Sequence, residues 1–266
     1  MKSHVQIPAS LLKGFADKEG NIFCMNCKGE IEKRRTKKCN VEEGYFSDEE
    51  EDKLNRYETN FGELKKNIID AYEKDKSKFV FNYREQEQTA EKFFIMCISR
   101  NPEFAKALTD SSIFYNLCSE YKRPSQQSFA LVETMAATNV IEKICDQKSF
   151  CIIKNESVNY GFVIPQNCLY TVKFNNQDGY LIVLPITSRL AIGLLDNDKI
   201  SKYNDGNEEY ICTKTIGDNL VNLFNRYAVY QEFASNKEDK YKYVYAKEKK
   251  DLEDDKIKET LERIRR

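Results

Sequence analysis

The chain has 266 residues, 32% of them charged, and a formal net charge of −1. So balanced a charge excludes a global field that would draw the protein to nucleic acid or anionic lipid, and binding to either would need a local patch. No run approaches the roughly 20 apolar residues of a bilayer span, and the opening MKSHVQIPASLLKGF has no apolar stretch of signal-peptide length, so a cytoplasmic location is expected and no membrane partner.

In chain order, Ile22-Phe23, the turn signal Asn26-Cys27-Lys28-Gly29 and Ile31 predict a β-hairpin within residues 21–46. Ser47 then stands before Asp48-Glu49-Glu50-Glu51-Asp52, a cap followed by carboxylates suited to the positive end of a helix dipole. That reading makes the acidic run a solvated helix start rather than a metal site. Tyr57, Phe61, Leu64, Ile68 and Tyr72 recur at steps of three and four and predict an amphipathic helix. A second helix is expected over 86–99, with Ala90, Phe93, Phe94, Cys97 and Ile98 inward. Further helices are expected from Pro102 to Tyr121, with a break near Thr109-Asp110-Ser111, and from Pro124 to Ile144.

The pattern changes near 149. Strands are predicted over 150–153, 158–164, 168–174, 180–184 and 190–195, with one more at 210–212. A helix over 217–234 should turn Leu220, Leu223, Phe224, Tyr227 and Tyr230 inward. A last strand is expected over 242–245, then a charged helix over 250–266 whose apolar residues are Leu252, Ile257, Leu261 and Ile264. Helices first and strands second argue an α+β fold: a helical N-terminal half after a short β-hairpin, an antiparallel sheet in the C-terminal half, and closing helices. One domain over 1–249 is expected, with the hairpin at 21–46, a helical part at 47–148 and a sheet part at 149–249, followed by the 250–266 helix.

Nine cysteines, an odd number, sit partly in apolar runs and read as buried thiols in a reducing compartment. Cys24-x-x-Cys27 with Cys39 offers three ligands toward a tetrahedral zinc site. A fourth is lacking, since His4 is the lone imidazole and no second Cys-x-x-Cys follows, so an incidental reduced pair is the alternative. No cofactor is expected; zinc at these thiols and magnesium on the plentiful carboxylates are the metal possibilities. Any catalytic Ser-His-Asp or Cys-His set would have to use His4.

Arg100, Asn167, Arg189, Asn222 and Asn225 are the candidate polar site. Asn222 and Asn225, three apart on a helix, share a face. With a guanidinium they would suit a phosphate or carboxylate, or would pin a loop to a helix. Lys33, Arg34, Arg35, Lys37 and Lys38 are the candidate nucleic-acid contacts, assisted by Arg263, Arg265 and Arg266. No aromatic residue interleaves closely with either cluster, which weighs against single-strand binding. Gly-x-x-x-x-Gly-Lys-Ser/Thr, Gly-x-Gly-x-x-Gly and Gly-x-Ser-x-Gly are all absent.

Pro8, Leu12, Lys13 and Phe15, Gly44-Tyr45-Phe46-Ser47, Arg100-Asn101-Pro102, Phe162 to Cys168, Leu184-Pro185-Ile186, Val221-Asn222 with Asn225, and Tyr243-Val244-Tyr245 follow one another in an order that resembles domain-of-unknown-function family 4238. Two positions depart from that pattern. Val5 stands where the family carries a histidine, with His4 one place early. Gln166 stands where the family carries an aspartate, with Asn167 retained. If relatives build a polar site from that pair, its titratable parts are displaced here. The expected function is an interaction or regulatory protein that binds a macromolecular partner through a charged surface, a protein partner first and nucleic acid second. The alternative is a metal-dependent hydrolase or nuclease in a bacterial or phage conflict system.

Overall fold

The computed structural model describes residues 2–4, 6–43, 45–73, 84–100, 148–173, 180–196, 213–234 and 242–266. The helices expected over 102–121 and 124–144 and the strand at 210–212 lie outside the described residues.

The chain opens with β1 (Lys2–His4), which pairs antiparallel with β4 (Val41–Glu43). Between them lie the short α1 (Ala9–Leu12), a 3-10 turn (Lys13–Phe15), and the hairpin of β2 (Asn21–Asn26) and β3 (Ile31–Arg35). The hairpin turn works as the sequence predicts. Asn26 Oδ1 accepts from Lys28 N at 2.9 Å, and Gly29 adopts φ 74°, a left-handed backbone that favours glycine. Gly14 answers a different need. A Cβ there would fall 2.0 Å from the Ile186 carbonyl oxygen, so the absence of a side chain lets the N-terminal segment seat against the C-terminal sheet.

Ser47 starts α2 (Asp48–Glu73) with a capping box: Glu50 N donates to Ser47 Oγ at 3.3 Å, and Ser47 N donates to Glu50 Oε2 at 2.7 Å. The acidic run is thus a helix start. From α2, Phe61, Leu64 and Ile68 are buried, and Phe61 stacks on Phe93 of α3 (Arg84–Ser99) with centroids 3.6 Å apart. Phe93, Phe94, Ile95, Met96 and Cys97 are all buried, so α3 is enclosed on more sides than its predicted stripe.

The C-terminal half holds β5 (Lys148–Asn155), β6 (Ile164–Pro165), β7 (Tyr170–Lys173), β8 (Tyr180–Pro185), β9 (Leu190–Asp196), β10 (Thr213–Ile216), α4 (Asp218–Ala234), β11 (Tyr243–Ala246) and α5 (Asp255–Arg265). The fold is α+β, with a C-terminal antiparallel sheet and closing helices. That five-stranded sheet runs β10-β5-β9-β8-β7, antiparallel except where β10 joins β5 in parallel. A second, four-stranded sheet runs β3-β2-β11-β6, so the N-terminal hairpin is completed by the last strand of the chain. Buried residues from Ile7 to Ile264 form one hydrophobic cluster. Leu252, Ile257, Leu261 and Ile264 belong to it, so the terminal helix packs on its own fold, against α4.

Two expectations are corrected. Residues 158–164 alternate like a strand, yet only Ile164–Pro165 is in a ladder, and Val158 is 79% exposed. Side chains replace the ladder there, as described below. On α4, the buried residues are Val221, Asn222, Phe224, Asn225, Ala228, Val229, Glu232 and Phe233; Phe224 is inward as expected, Leu223 and Tyr227 are half-buried, and Leu220 and Tyr230 are exposed. The true inward stripe carries two amides and a carboxylate, which reads as polar until their partners are known.

Candidate functional site

The loop between β5 and β6 is held by side chains bonded to its backbone. Asn155 Nδ2 donates to Tyr160 O at 2.8 Å and to Ser188 O at 3.1 Å, while Asn155 Oδ1 accepts from Ser157 N at 2.8 Å. Ser157 Oγ accepts from Asn159 N and Tyr160 N. Gly161 N donates to Asp251 Oδ1 at 2.8 Å. From α4, Asn225 takes both sides of the loop: Nδ2 donates to Gly161 O at 2.9 Å, and Oδ1 accepts from Val163 N at 3.0 Å. Asn222 Nδ2 donates to Asp254 Oδ1 at 2.9 Å, and Asp254 also caps α5 by accepting from Lys256 N. The Arg189 guanidinium donates to the Ser157 carbonyl. The Ser157 hydroxyl and the Asn159 amide donate to Asp218, which holds that carboxyl below the usual carboxylate range. Every one of these groups is occupied by protein, and the arrangement fastens the loop, α4 and α5 together.

Arg100 lies elsewhere, at the end of α3. Its guanidinium is buried, donates to Glu58 Oε1 at 3.1 Å and to His4 O at 3.5 Å, and lies 5.5 Å from the Phe46 ring centre. Ser10 Oγ reaches the other Glu58 oxygen at 3.4 Å. Burial lowers the His4 imidazole below its ordinary 6.5; the Glu58 carboxylate opposes the shift and the Arg100 charge adds to it. A histidine whose folded pKa is depressed binds its proton less readily folded than unfolded. Its contribution to stability is therefore whole above pH 6.5 and falls as pH drops through that value. Melting temperature measured downward from neutral pH should decline, and His4→Gln should flatten the decline. An equal slope in both proteins would remove His4 as the cause.

Asn167 joins neither group through its side chain: its backbone N–H donates to Glu232 Oε2 at 3.0 Å. Gln166, the departure from the family pattern, is a junction. Its Oε1 accepts from Tyr243 N at 3.1 Å and from the Tyr245 hydroxyl at 3.4 Å, and its Nε2 donates to the Gln6 side chain. A neutral amide does here what a carboxylate could not, donating and accepting at once.

The structure does not assemble Cys24, Cys27 and Cys39 into a metal site; among the described residues no group of three His, Cys, Asp or Glu is placed to hold an ion. Cys24 Sγ lies 3.6 Å from Glu32 O and Cys39 Sγ 3.4 Å from Arg35 O, geometry in which each thiol donates. Burial pushes their pKa values up to about 12 and about 11, so both stay protonated as thiols.

The basic hairpin is partly neutralised. Lys33 pairs with Asp17 at 2.9 Å, and Arg34 pairs with Glu32 and lies 4.7 Å from the Tyr243 ring centre. Lys37, Lys38 and Arg35 are exposed. Arg265 donates to Cys27 O at 3.0 Å, pinning α5 to the hairpin turn. Arg263 instead lines a groove of about 220 Å³ between α4 and α5, with Leu223, Arg226, Tyr227, Tyr230 and Thr260. Arg226 Nε reaches Thr260 Oγ1 at 3.4 Å, and the Tyr227 hydroxyl donates to Lys173 O at 3.1 Å. The expected inward stripe of Leu220, Leu223, Phe224, Tyr227 and Tyr230 holds for Phe224 and in part for Tyr227, which packs against the core, but not for the exposed Leu220 and Tyr230. The signal that could have redirected that expectation is the second stripe on the same helix, through Val221, Phe224, Ala228 and Val229.

The model of the family described as "Protein of unknown function (DUF4238)" matches residues 4–250. No curated protein and no solved structure matches the chain. No helix among the described residues is long and apolar enough to cross a membrane.

Proposed function

The chain belongs to the DUF4238 family, and on that premise we propose that it is a binding module whose partner-facing surface is the α4–α5 face. One observation carries the reading: Leu223, Tyr227 and Tyr230 of α4 line a groove with Arg226 and Arg263, Tyr230 being 53% exposed and Leu220, three residues before Leu223, 39% exposed. Tyrosine and arginine are the residues that most often anchor macromolecular contacts. The polar residues that would otherwise suggest chemistry are committed to the backbone of the 156–163 loop and to α5. The nuclease alternative needs a carboxylate cluster, and nothing in the described residues favours one.

The test compares the tagged protein with its Tyr230→Ala/Arg263→Glu variant in capture of bound macromolecules from host lysate. Both residues are on the surface, so the variant should melt like the parent. A stoichiometric species should copurify with the parent and fall about tenfold in the variant. Equal recovery from both would overturn the assignment of this face.

A further inference from the structure

We infer that the α4–α5 groove takes single-stranded nucleic acid, with Tyr227 and Tyr230 as stacking surfaces for bases and Arg226 and Arg263 as phosphate contacts. This rests on the reading of that face as the binding surface and names its occupant. In the sequence the terminal arginines have no aromatic residue near them. The fold supplies the missing half, because α5 lies along α4 and sets Arg263 beside two tyrosines more than 30 positions earlier in the chain.

The size, lining and charge of the groove select this occupant. Its volume, about 220 Å³, is below the roughly 300–1,000 Å³ of pockets that enclose a small molecule, so the ligand lies across it. Its lining holds one aliphatic side chain, Leu223, with two tyrosines, two arginines and a threonine. A helical peptide would need a row of apolar pockets for its anchor residues, which this lining does not provide. Both charged residues of the lining are cations, suited to a phosphodiester chain, and no carboxylate is among the lining residues. Arg263 has no ion pair or hydrogen-bond partner among the described residues, whereas Arg265, two positions on, is spent on Cys27 O. The tyrosine faces point to unpaired bases, since the bases of a duplex are already stacked on one another. Tyr227 is held in place by its bond to the Lys173 carbonyl.

The experiment is fluorescence anisotropy of the full chain with short labelled oligo-dT and oligo-U strands, over a range of salt. Both strands should bind, with affinity falling as salt rises. Tyr230→Ala should weaken binding about tenfold, the loss of one stacked base. Arg263→Glu should weaken it and reduce the slope of log K against log salt by about 0.7, one phosphate contact to a single strand. Unchanged melting temperatures keep these variants interpretable. Absence of binding would overturn the inference. So would equal binding by the variants, which would place the contact at Lys37 and Lys38, equal affinity for a duplex, or ready displacement by poly-glutamate, which would assign an acidic polypeptide. If a captured protein is lost in the groove variant while oligonucleotides never bind, the binding face stands and only its occupant is wrong. If neither is seen, both readings fall.

Discussion

Replacing Asn225 with alanine is expected to lower stability by about 3 kcal/mol, read as a fall in the urea midpoint with an unchanged m-value. Asn225 is 1% exposed, and its amide serves two buried backbone groups at once. Alanine leaves the Val163 N–H and the Gly161 carbonyl without partners in a place water does not reach. Each such orphan costs about 1–3 kcal/mol, more than a single exposed bond would. Aspartate is the sharper probe. It has the same shape and keeps the bond from Val163 N, but it aims a lone pair at the Gly161 oxygen. Asn225→Asp should therefore be as damaging as alanine at neutral pH. Relative to the parent, it should recover as acid protonates the new carboxyl and restores a donor. A midpoint unmoved by either substitution would mean that the 156–163 loop is held without Asn225.

Removing the Arg100 charge is the second large effect. In Arg100→Met the Glu58 carboxylate, only 16% exposed, loses its cation, and losing one partner of a buried pair costs about 3–5 kcal/mol. The partial exposure of Glu58 puts the expected loss near the lower end, about 3 kcal/mol. Adding Glu58→Gln should make the double variant more stable than the sum of the single losses, because no charge is then left buried alone. Simple additivity would show that the two side chains are near one another without being energetically coupled.

The contrast between these two residues explains what was legible in the sequence. The α2 stripe of Phe61, Leu64 and Ile68 is a local signal of period 3.6, and the hairpin turn at Asn26–Gly29 carries its own chemistry, so both could be read directly. The Ser47–Glu50 capping box is likewise local. Asn225 and Gly161 are 64 positions apart, and Arg100 and His4 are 96 apart. No pattern along the chain announces such pairs. The same limit explains the misread strand. Val158, Tyr160, Phe162 and Ile164 alternate as a strand does, but Asn225 and Asp251 satisfy the backbone of Val163 and Gly161 from a distance, and Ser157 turns the chain locally. Arg100, Asn167, Arg189, Asn222 and Asn225 were grouped as one site by residue type. The fold places Asn222, Asn225 and Arg189 in one network that pins the loop and puts Arg100 in another, while only the backbone of Asn167 takes part. Tyr230 follows the same helical period as the core-packed Tyr227, so its exposure on the α4–α5 face is not legible in that period.

The pairing of β2 with β11 sets a timetable for the newborn chain. Arg34 on the hairpin and Tyr243 on its completing strand are 209 positions apart. At translation rates of about 5–20 residues per second, the hairpin waits on the order of ten seconds or more with one β edge unpaired. An open edge of that kind is a template for other chains. The charged residues of β3, Glu32, Lys33, Arg34 and Arg35, guard the outer side of the hairpin during that wait, while the inner side, where Cys24 and Met25 will meet Tyr245 and Val244, has no such guard. Synthesis of this protein therefore passes through an interval in which β2 waits, with one edge open, for the last strand of the chain.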